Sequence, residues 1–163
     1  YHSSGGSNEN PLAHTMSSST IDYVKLNGEF ASEFLLYAKA AAYEKVPTVF
    51  ISGDQGICED AKNLNENIKT AAVLEGKGSS TISIHPKKSI ELIEKGIKES
   101  LEGDLSKNKI DLADEFTLEI KYNYHGDAYY NSFFPGVKQK SAKVIEFKTD
   151  DYFEIMRATS FLL

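Results

Sequence analysis

Two short apolar runs, separated by a helical stretch, constrain the fold of this chain more than any other feature. Residues 48–51 form the first run, and residues 68–74 form the second. A strand that is apolar at nearly every position is expected to be covered on both faces. The stretch between the runs, up to Leu64, has the length and pattern of a helix. Strand, helix and strand at this spacing predict a βαβ unit with two parallel strands.

A strand, a turn and a helix are predicted before this unit. Residues 21–26 read as a strand that ends at Asn27-Gly28, a dipeptide typical of tight hairpin turns. A helix is predicted over residues 31–45, with Ser32 or Glu29 as its cap. Its apolar face follows from helical spacing, and the residues on that face are Phe34, Leu35, Ala38, Ala41 and Ala42. The preceding residues 1–20 are rich in Gly, Ser and Asn, and we expect a loop that apolar burial cannot order.

The pattern of the chain changes near residue 75. A glycine-rich loop over 75–80 leads to a short strand at 81–84, and Pro86 suits the first turn of a helix. The apolar residues of that helix predict a buried stripe, which consists of Ile90, Ile93, Ile97 and Leu101.

The last third of the chain predicts an antiparallel pair of strands and a final helix. Residues 116–122 alternate between apolar and polar side chains, as in a strand with one buried and one solvent-exposed face. Residues 137–147 read as its partner, and Thr149 or Asp150 is expected to cap a helix that runs to the end. The fold class is therefore α/β, the end of a three-layer α/β domain followed by a small two-layer α+β sandwich. We place the two domains at residues 1–75 and 76–163.

Composition and charge exclude several classes of function. A net charge of −6 argues against nucleic acid and anionic membranes as partners, because both require a basic surface. No apolar run approaches the roughly 20 residues of a membrane span. The single cysteine, Cys58, cannot form an internal disulfide and indicates a reducing compartment, so we expect a cytoplasmic protein.

His2, His14 and Glu33 are the candidate residues for chemistry. Both histidines lie on the opening loop, and Glu33 falls in the first turn of the predicted helix. Imidazole nitrogen and carboxylate oxygen are zinc donors, and a catalytic zinc keeps one position for a water molecule. A nearby histidine could act as a general base. Three donors are too few for a two-metal site, so we expect the remaining ligands upstream or in another chain. The alternative is a polar surface loop without a metal.

Other notable residues favour structural roles. His85 precedes Pro86 and is expected to cap a helix or to be solvated, and His125 is expected in a turn. The loop at 75–80 does not match a phosphate-binding motif, since a strand follows it instead of a helix. The aromatic residues of 129–134 suit core packing or a subunit contact more than a ligand site. Cys58 is expected to be buried on a helix.

Six segments resemble the zinc-dependent D-aminopeptidase family in collinear order. They cover nearly the whole chain: Tyr1-His2-Ser3, Leu12-Ala13-His14-Thr15-Met16, residues 26–33, residues 47–54, residues 70–73 and Phe134-Pro135-Gly136. The resemblance implies a metallo-aminopeptidase that releases N-terminal D-amino acids from short peptides. It also implies two zinc ions per complete site, a three-layer and a two-layer domain, and ring-shaped homo-oligomers with the sites facing an inner chamber.

The resemblance also assigns roles to individual residues. It places His2 and Glu33 on zinc ligands of the family, and it places His14 on the histidine that takes part directly in catalysis. The family's Asp-x-Glu segment and a further histidine, which complete the site, have no counterpart here. Leu74 stands where the family often has lysine, with Lys77 nearby.

These departures lead us to expect the C-terminal portion of such an enzyme, which by itself forms no stable metal site and has no activity. A missing N-terminal segment or a second chain would supply the rest. Two alternatives stay open. One is a non-catalytic binding or assembly module on the same fold, and the other is a related metal-dependent amidohydrolase.

Overall fold

The computed structural model describes residues 1–163, which form two compact units. The first unit comprises Tyr1–Ser3, Ser7–Ala13 and Tyr37–Leu112, and the second comprises Ser4–Gly6, His14–Leu36 and Ala113–Leu163. The helices are α1 (Glu33–Tyr43), α2 (Gln55–Leu64), α3 (Pro86–Glu102), α4 (His125–Asn131) and α5 (Tyr152–Leu162). The strands are β1 (Ile21–Leu26), β2 (Glu29–Phe30), β3 (Phe50–Asp54), β4 (Lys69–Lys77), β5 (Ser80–Ser83), β6 (Phe116–Tyr122), β7 (Val137–Gln139) and β8 (Val144–Thr149).

The first unit contains a three-stranded sheet in the order β3-β4-β5. Strands β3 and β4 pair in parallel, from Phe50 opposite Lys69 onward, with α2 as the crossover. This arrangement confirms the βαβ unit that the two apolar runs predict. Strand β5 pairs with β4 antiparallel through the glycine loop. The expected domain boundary at 75/76 therefore lies inside β4 and within one compact unit, because this hairpin holds the two sides of the boundary together.

The second unit contains a five-stranded antiparallel sheet in the order β2-β1-β6-β8-β7. The alternation predicted for β6 is confirmed, because every second residue from Phe116 to Tyr122 is buried. The mixed α/β fold class is confirmed as well: two sheets and five helices make up the chain. No helix combines the length and the apolar character that crossing a membrane requires.

The predicted strand 137–147 is wrong in one respect, since it is a hairpin of two short strands. The turn between β7 and β8 closes where the amide of Lys140 donates to the carbonyl of Val144 at 2.8 Å. The cap of α5 also differs from the expectation. Asp151, and not Thr149 or Asp150, accepts a hydrogen bond from the amide of Phe153 at 2.8 Å.

The opening loop contains neither helix nor strand, as predicted, but it is ordered by polar contacts. Ser3 and Thr15 are each only 1% exposed. The expectation that this stretch cannot order itself is wrong, because it considered apolar burial alone. Buried hydroxyl and amide groups make hydrogen bonds here that take the place of apolar packing.

The apolar stripe predicted for α3 is largely exposed. Ile90 and Leu101 are 65% and 62% exposed, and Ile97 is exposed too. Gly96 faces the sheet, since a Cβ added to it would lie 2.5 Å from the ring of Phe50, and Leu92 and Ile93, about one turn earlier, are half-buried. The side of α3 that contains Gly96 therefore packs on the sheet, and Ile90, Ile97 and Leu101 remain exposed.

Candidate metal centre

The three residues that the sequence singles out converge in the structure. His2, His14 and Glu33 each offer one ligand atom, and these atoms all lie within 4.8 Å of one another. All three residues are half-buried. Two imidazole nitrogens and one carboxylate oxygen form a donor set that catalytic zinc sites use, with further coordination positions left for water and substrate. The residues present therefore fit a zinc ion.

Glu33 is held by the start of α1 and by the loop that carries His14. Glu33 lies in the first turn of the helix, where the dipole favours a carboxylate. The Ser32 hydroxyl accepts from the Leu35 amide at 3.2 Å, so Ser32 caps the helix as expected. The amide of Met16 donates to Oε1 of Glu33 at 2.6 Å. This bond leaves the second carboxylate oxygen for another partner.

Thr15 fixes the residue next to His14. Its hydroxyl donates to the carbonyl of Ala31 at 2.7 Å and accepts from the amide of Gly5 at 3.1 Å. Met16 follows with a φ of 62°, in the left-handed region that side chains rarely adopt. The buried hydroxyl and this sharp bend set the direction of the chain on the C-terminal side of His14, just before α1.

His2 is held by its two neighbours in the chain. The nitrogen of Tyr1 donates to the carbonyl of Ser52 in β3 at 3.0 Å, and the amide of Ser3 donates to Oδ2 of Asp54 at 2.8 Å. The ring nitrogen Nδ1 of His2 lies 2.9 Å from the carbonyl oxygen of Ser3. A carbonyl can only accept, so Nδ1 carries the hydrogen in this arrangement. Nε2 is then the ring nitrogen whose lone pair can bind a metal.

Asp54 and Cys58 lie close together around the start of α2, and both are buried. Burial by itself raises the pKa of the Asp54 carboxyl, but hydrogen bonds from Ser3, Ile57 and Asn10 outweigh it, and the pKa lies below its ordinary value. Burial, followed by the charge of Asp54, raises the pKa of the Cys58 thiol to about 11. Cys58 is thus the buried helix residue that the sequence predicts, and it is a poor metal ligand.

The sequence model of the D-aminopeptidase family, peptidase M55, matches residues 1–161. The chain belongs to this D-aminopeptidase family. A D-aminopeptidase of Bacillus subtilis strain 168 is 25% identical over 135 residues, which are 82% of this chain and 49% of that protein. The chain thus spans about half the length of this curated relative.

A solved structure gives the same fold. The zinc-dependent D-aminopeptidase DppA from Bacillus subtilis, described as a self-compartmentalizing protease, superposes with a TM-score of 0.86 at 23% identity. The match covers 99% of this chain and 59% of that one. At this level of identity the likeness shows the fold, and the roles of individual residues need their own evidence.

The other two histidines of this D-aminopeptidase family member lie outside the cluster. His85 caps α3, because its Nδ1 accepts from the amide of Lys87 at 3.2 Å. His125 opens α4, and its ring lies 4.5 Å from that of Tyr124. The glycine loop is the turn of the β4–β5 hairpin, with Gly78 at a φ of 60°. The expectation that it is no phosphate-binding loop is consistent with this hairpin.

The aromatic segment does not pack in the core as a whole. Tyr129, Tyr130 and Phe133 are exposed, so core packing is wrong for these three residues. Phe134 makes ring contacts with Phe147 and Phe161 at 6.1 and 5.9 Å. Helix α4 is only seven residues long, and Ala128 is its one buried residue.

Sequence reasoning missed the importance of Asp54. This residue appeared only within the segment 47–54, whereas the structure shows a buried carboxylate bonded to the residue next to His2. The available signal was an aspartate directly before a helix, which predicts a cap. Its bond to Ser3 joins residues 51 positions apart, and no local pattern reports such a contact.

Proposed function

We propose that this chain carries part of the active site of a zinc-dependent aminopeptidase that acts on short peptides with N-terminal D-amino acids. The observation that supports it most is the convergence of one ligand atom each from His2, His14 and Glu33 within 4.8 Å in a member of the D-aminopeptidase family. The zinc dependence stated for the structural relative, DppA, supports the choice of metal.

We assign separate roles to the three residues. His2, through Nε2, and Glu33, through a carboxylate oxygen, hold the metal. When bound, zinc supplies a Lewis acid that polarises the scissile carbonyl and makes a water molecule more acidic. His14 accepts the proton of the attacking water or donates a hydrogen bond to the oxygen that becomes negatively charged. Its ring nitrogen is close enough to the other two ligand atoms to reach a water or substrate held there.

Two zinc ions per complete site remain a prediction. His2 and Glu33 supply two ligands, whereas a pair of ions requires additional ligands and a bridging group. We propose that a longer form of the chain or a second polypeptide supplies those donors, which agrees with a chain that spans about half the length of its curated relative. The 163-residue chain alone is then expected to be inactive.

We also propose an oligomeric assembly and a cellular location for the protein. The self-compartmentalizing character stated for DppA supports a homo-oligomer, and the ring with an inner chamber is our finer proposal. Such a chamber would admit short peptides and exclude folded proteins. The cytoplasmic location remains a prediction that rests on the single cysteine.

Zinc binding by the longest natural form of the protein or complex that contains this chain, and by its variants, tests the roles of the ligands. We expect His2→Ala and Glu33→Ala to lose zinc, while His85→Ala, a histidine outside the cluster, keeps the affinity of the wild type. Equal zinc affinity in all four proteins would overturn the proposal. Two tightly bound zinc ions on the 163-residue chain alone, without a second polypeptide, would show that no further donors are needed.

Activity is measured in the longest natural form of the protein or complex that contains this chain. A panel of D- and L-aminoacyl amides and short peptides separates a D-aminopeptidase from a related amidohydrolase. His14→Ala should keep zinc and lose kcat by at least about 100-fold, as for removal of a general base, with His125→Ala as the matched control. Unchanged function in His2→Ala and Glu33→Ala would instead favour the non-catalytic module.

A further inference from the structure

The carboxylate of Asp54 is buried and fully occupied by hydrogen-bond donors. It is 1% exposed. Oδ1 accepts from the hydroxyl of Ser3 at 2.6 Å and from the amide of Ile57 at 2.8 Å. Oδ2 accepts from the amide of Ser3 at 2.8 Å and from Nδ2 of Asn10 at 2.9 Å. Four donors on two oxygens require an ionised carboxylate, because a protonated one would bring a hydrogen against a donor.

Capping a helix explains only one of these four bonds. An N-cap residue needs to accept a single amide of the first helical turn, and Ile57 supplies it for α2. Asp151 illustrates the simple case, since its carboxylate accepts from the amide of Phe153 in its own helix. Asp54 accepts three further bonds from Ser3 and Asn10, which lie 51 and 44 residues away in the chain. The carboxylate therefore fastens the opening loop as well as the helix.

The contact surface is shaped for this attachment. A Cβ added to Gly53 would lie 2.2 Å from the carbonyl oxygen of Tyr1, and one added to Gly56 would lie 2.6 Å from Oγ of Ser3. Any larger residue at either position would push the loop away from β3 and α2. The two glycines on either side of Asp54 thus permit the close approach that its hydrogen bonds require.

Ser3 links Asp54 to His2. Asp54 holds both the amide and the hydroxyl of Ser3, and the carbonyl of Ser3 accepts from Nδ1 of His2 at 2.9 Å. The direction of that carbonyl decides which ring nitrogen carries the hydrogen and where Nε2 points. Metal-binding histidines depend on such a partner for their tautomer and ring orientation.

We propose that Asp54 is a positioning residue for His2, acting through Ser3 to keep the hydrogen on Nδ1 and to present Nε2 to the metal. This inference rests on the proposed function for its consequence, since His2 matters as a ligand only if the site binds metal. The placement of the hydrogen itself is a property of the metal-free chain and can be measured without zinc.

The decisive variant is Asp54→Asn. Asparagine is as good an N-cap as aspartate, so the bond to Ile57 can remain. Its amide nitrogen is a donor, however, and must face the amide of Ser3 and Nδ2 of Asn10, which are donors too. The variant therefore keeps the helix cap and the bond from the Ser3 hydroxyl to Oδ1, but it loses the bonds that Oδ2 accepts from the Ser3 amide and Asn10. Asp151→Asn makes the same chemical change at the cap of α5 and is the matched control.

Two readouts separate positioning from general stability. In the metal-free chain, nitrogen NMR of labelled histidine, assigned with His2→Ala, should show Nδ1 protonated in the wild type and a mixture of tautomers in Asp54→Asn. In the longest natural form of the protein or complex that contains this chain, zinc affinity, measured by competition with a chromophoric chelator, should fall by about 10- to 100-fold in Asp54→Asn. Asp151→Asn should match the wild type in both, and circular dichroism confirms that each variant is folded.

Ser3→Ala and Asn10→Ala test the same inference if Asp54→Asn does not fold. Both leave the hydrogen bond from the Ile57 amide to Asp54, and therefore the cap of α2, intact. Ser3→Ala removes one of two bonds to Ser3 and should give a smaller change in tautomer and affinity. The double variant with Asp54→Asn loses both bonds between Ser3 and residue 54, so its change in tautomer and affinity should exceed that of either single variant.

The outcomes also distinguish this inference from the proposed function. A hydrogen on Nε2 in the wild type, or a folded Asp54→Asn with the wild-type tautomer and zinc affinity, overturns the positioning role. Where Asp54→Asn does not fold, wild-type values in both Ser3→Ala and Asn10→Ala overturn it as well. Zinc binding that is unchanged in His2→Ala overturns the proposed function instead, and the tautomer measurement still decides the role of Asp54.

Discussion

Helices α2 and α3 pack on the same three-stranded sheet, and both are amphipathic in sequence, yet they use their apolar residues differently. Helix α2 buries Gly56, Ile57, Cys58 and Ala61. The single residue that α3 buries completely is Ser100, while Ile90 and Leu101 extend into solvent. Amphipathic periodicity therefore specifies that a helix forms and has an apolar stripe. It does not specify that the stripe is the side that faces the sheet.

The first turns of the two helices differ in the same way. Asp54 begins α2 as a buried carboxylate with four donors, and two of those bonds come from the residue after His2. His85 begins α3 as an exposed residue with one long bond of 3.2 Å to Lys87. The helix whose apolar side is covered is also the one whose start supports the candidate site. Rigid support for a functional residue is expected where packing is complete.

Truncating one apolar residue on each helix should give the largest contrast. Ile57 is fully buried, so Ile57→Ala loses the transfer free energy and leaves a cavity, at a cost of about 2–5 kcal/mol in the free energy of unfolding. Ile90→Ala removes an exposed side chain and should stay within about 0.5 kcal/mol of the wild type. Urea unfolding of both variants measures the difference.

The same unfolding experiment can contradict the stated difference between α2 and α3. A cost for Ile90→Ala that approaches that of Ile57→Ala would mean that the apolar side of α3 is covered in solution. Repeating the measurement over a range of protein concentrations would then show whether a second copy of the chain provides the cover, because only association makes the unfolding midpoint depend on concentration.

The thiol of Cys58 should report the packing of α2 chemically. Burial and the charge of Asp54 raise its pKa to about 11, so the reactive thiolate is scarcer at neutral pH than in an ordinary cysteine by roughly two orders of magnitude. We expect slow labelling of the native protein and fast labelling in urea. A cysteine placed on α3 by Ile90→Cys, in a Cys58→Ala background, should react like a free peptide. Rapid labelling of native Cys58 would contradict the closed packing of α2.

Local periodicity accounts for the parts of the fold that the sequence predicts. The parallel pair β3–β4 follows from two apolar runs of strand length, and β6 follows from strict alternation. The turn at 140–143 was not predictable, because Lys140-Ser141-Ala142-Lys143 lacks the Gly, Pro or Asn that marks most tight turns. The orientation of α3 depends on Gly96 meeting Phe50, 46 positions earlier, and no local pattern contains that contact.

The candidate site shows the same limit. Spacing alone gave His2, His14 and Glu33 only as possible donors, and the resemblance to a known family suggested that they meet. The structure brings their ligand atoms within 4.8 Å. Asp54 escaped notice because its role depends on hydrogen bonds across 51 residues. Such contacts are set by the tertiary fold and not by neighbouring residues.

Acid should weaken the start of α2 selectively. The pKa of Asp54 lies below its ordinary value, because hydrogen bonds outweigh the opposing effect of burial. The ionised carboxylate therefore stabilises the folded state above the unfolded pKa of about 3.9, and this contribution is lost as the pH falls through the lower folded value. At neutral pH, Asp54→Asn should cost about 1–3 kcal/mol through unsatisfied buried donors.

The difference in unfolding free energy between wild type and Asp54→Asn should accordingly shrink below about pH 4, as measured by urea titrations at a series of pH values. Asp151→Asn carries the same substitution at a half-buried cap whose hydrogen bond is exposed, and it should show a smaller difference at every pH. A wild-type advantage that stays constant into strong acid would mean that the carboxylate of Asp54 is not the ionised acceptor that its four donors indicate.

The smallest effect is expected at the cap of α3. His85→Ala removes one exposed hydrogen bond of 3.2 Å, and Pro86 at the first helical position still favours the start of the helix. The loss should be about 0.5 kcal/mol, the low end for an N-cap, and zinc affinity should not change. If His85→Ala destabilised the chain as much as Asp54→Asn does, the exposed and the buried cap would be equivalent, and burial would not explain why α2 rather than α3 supports His2.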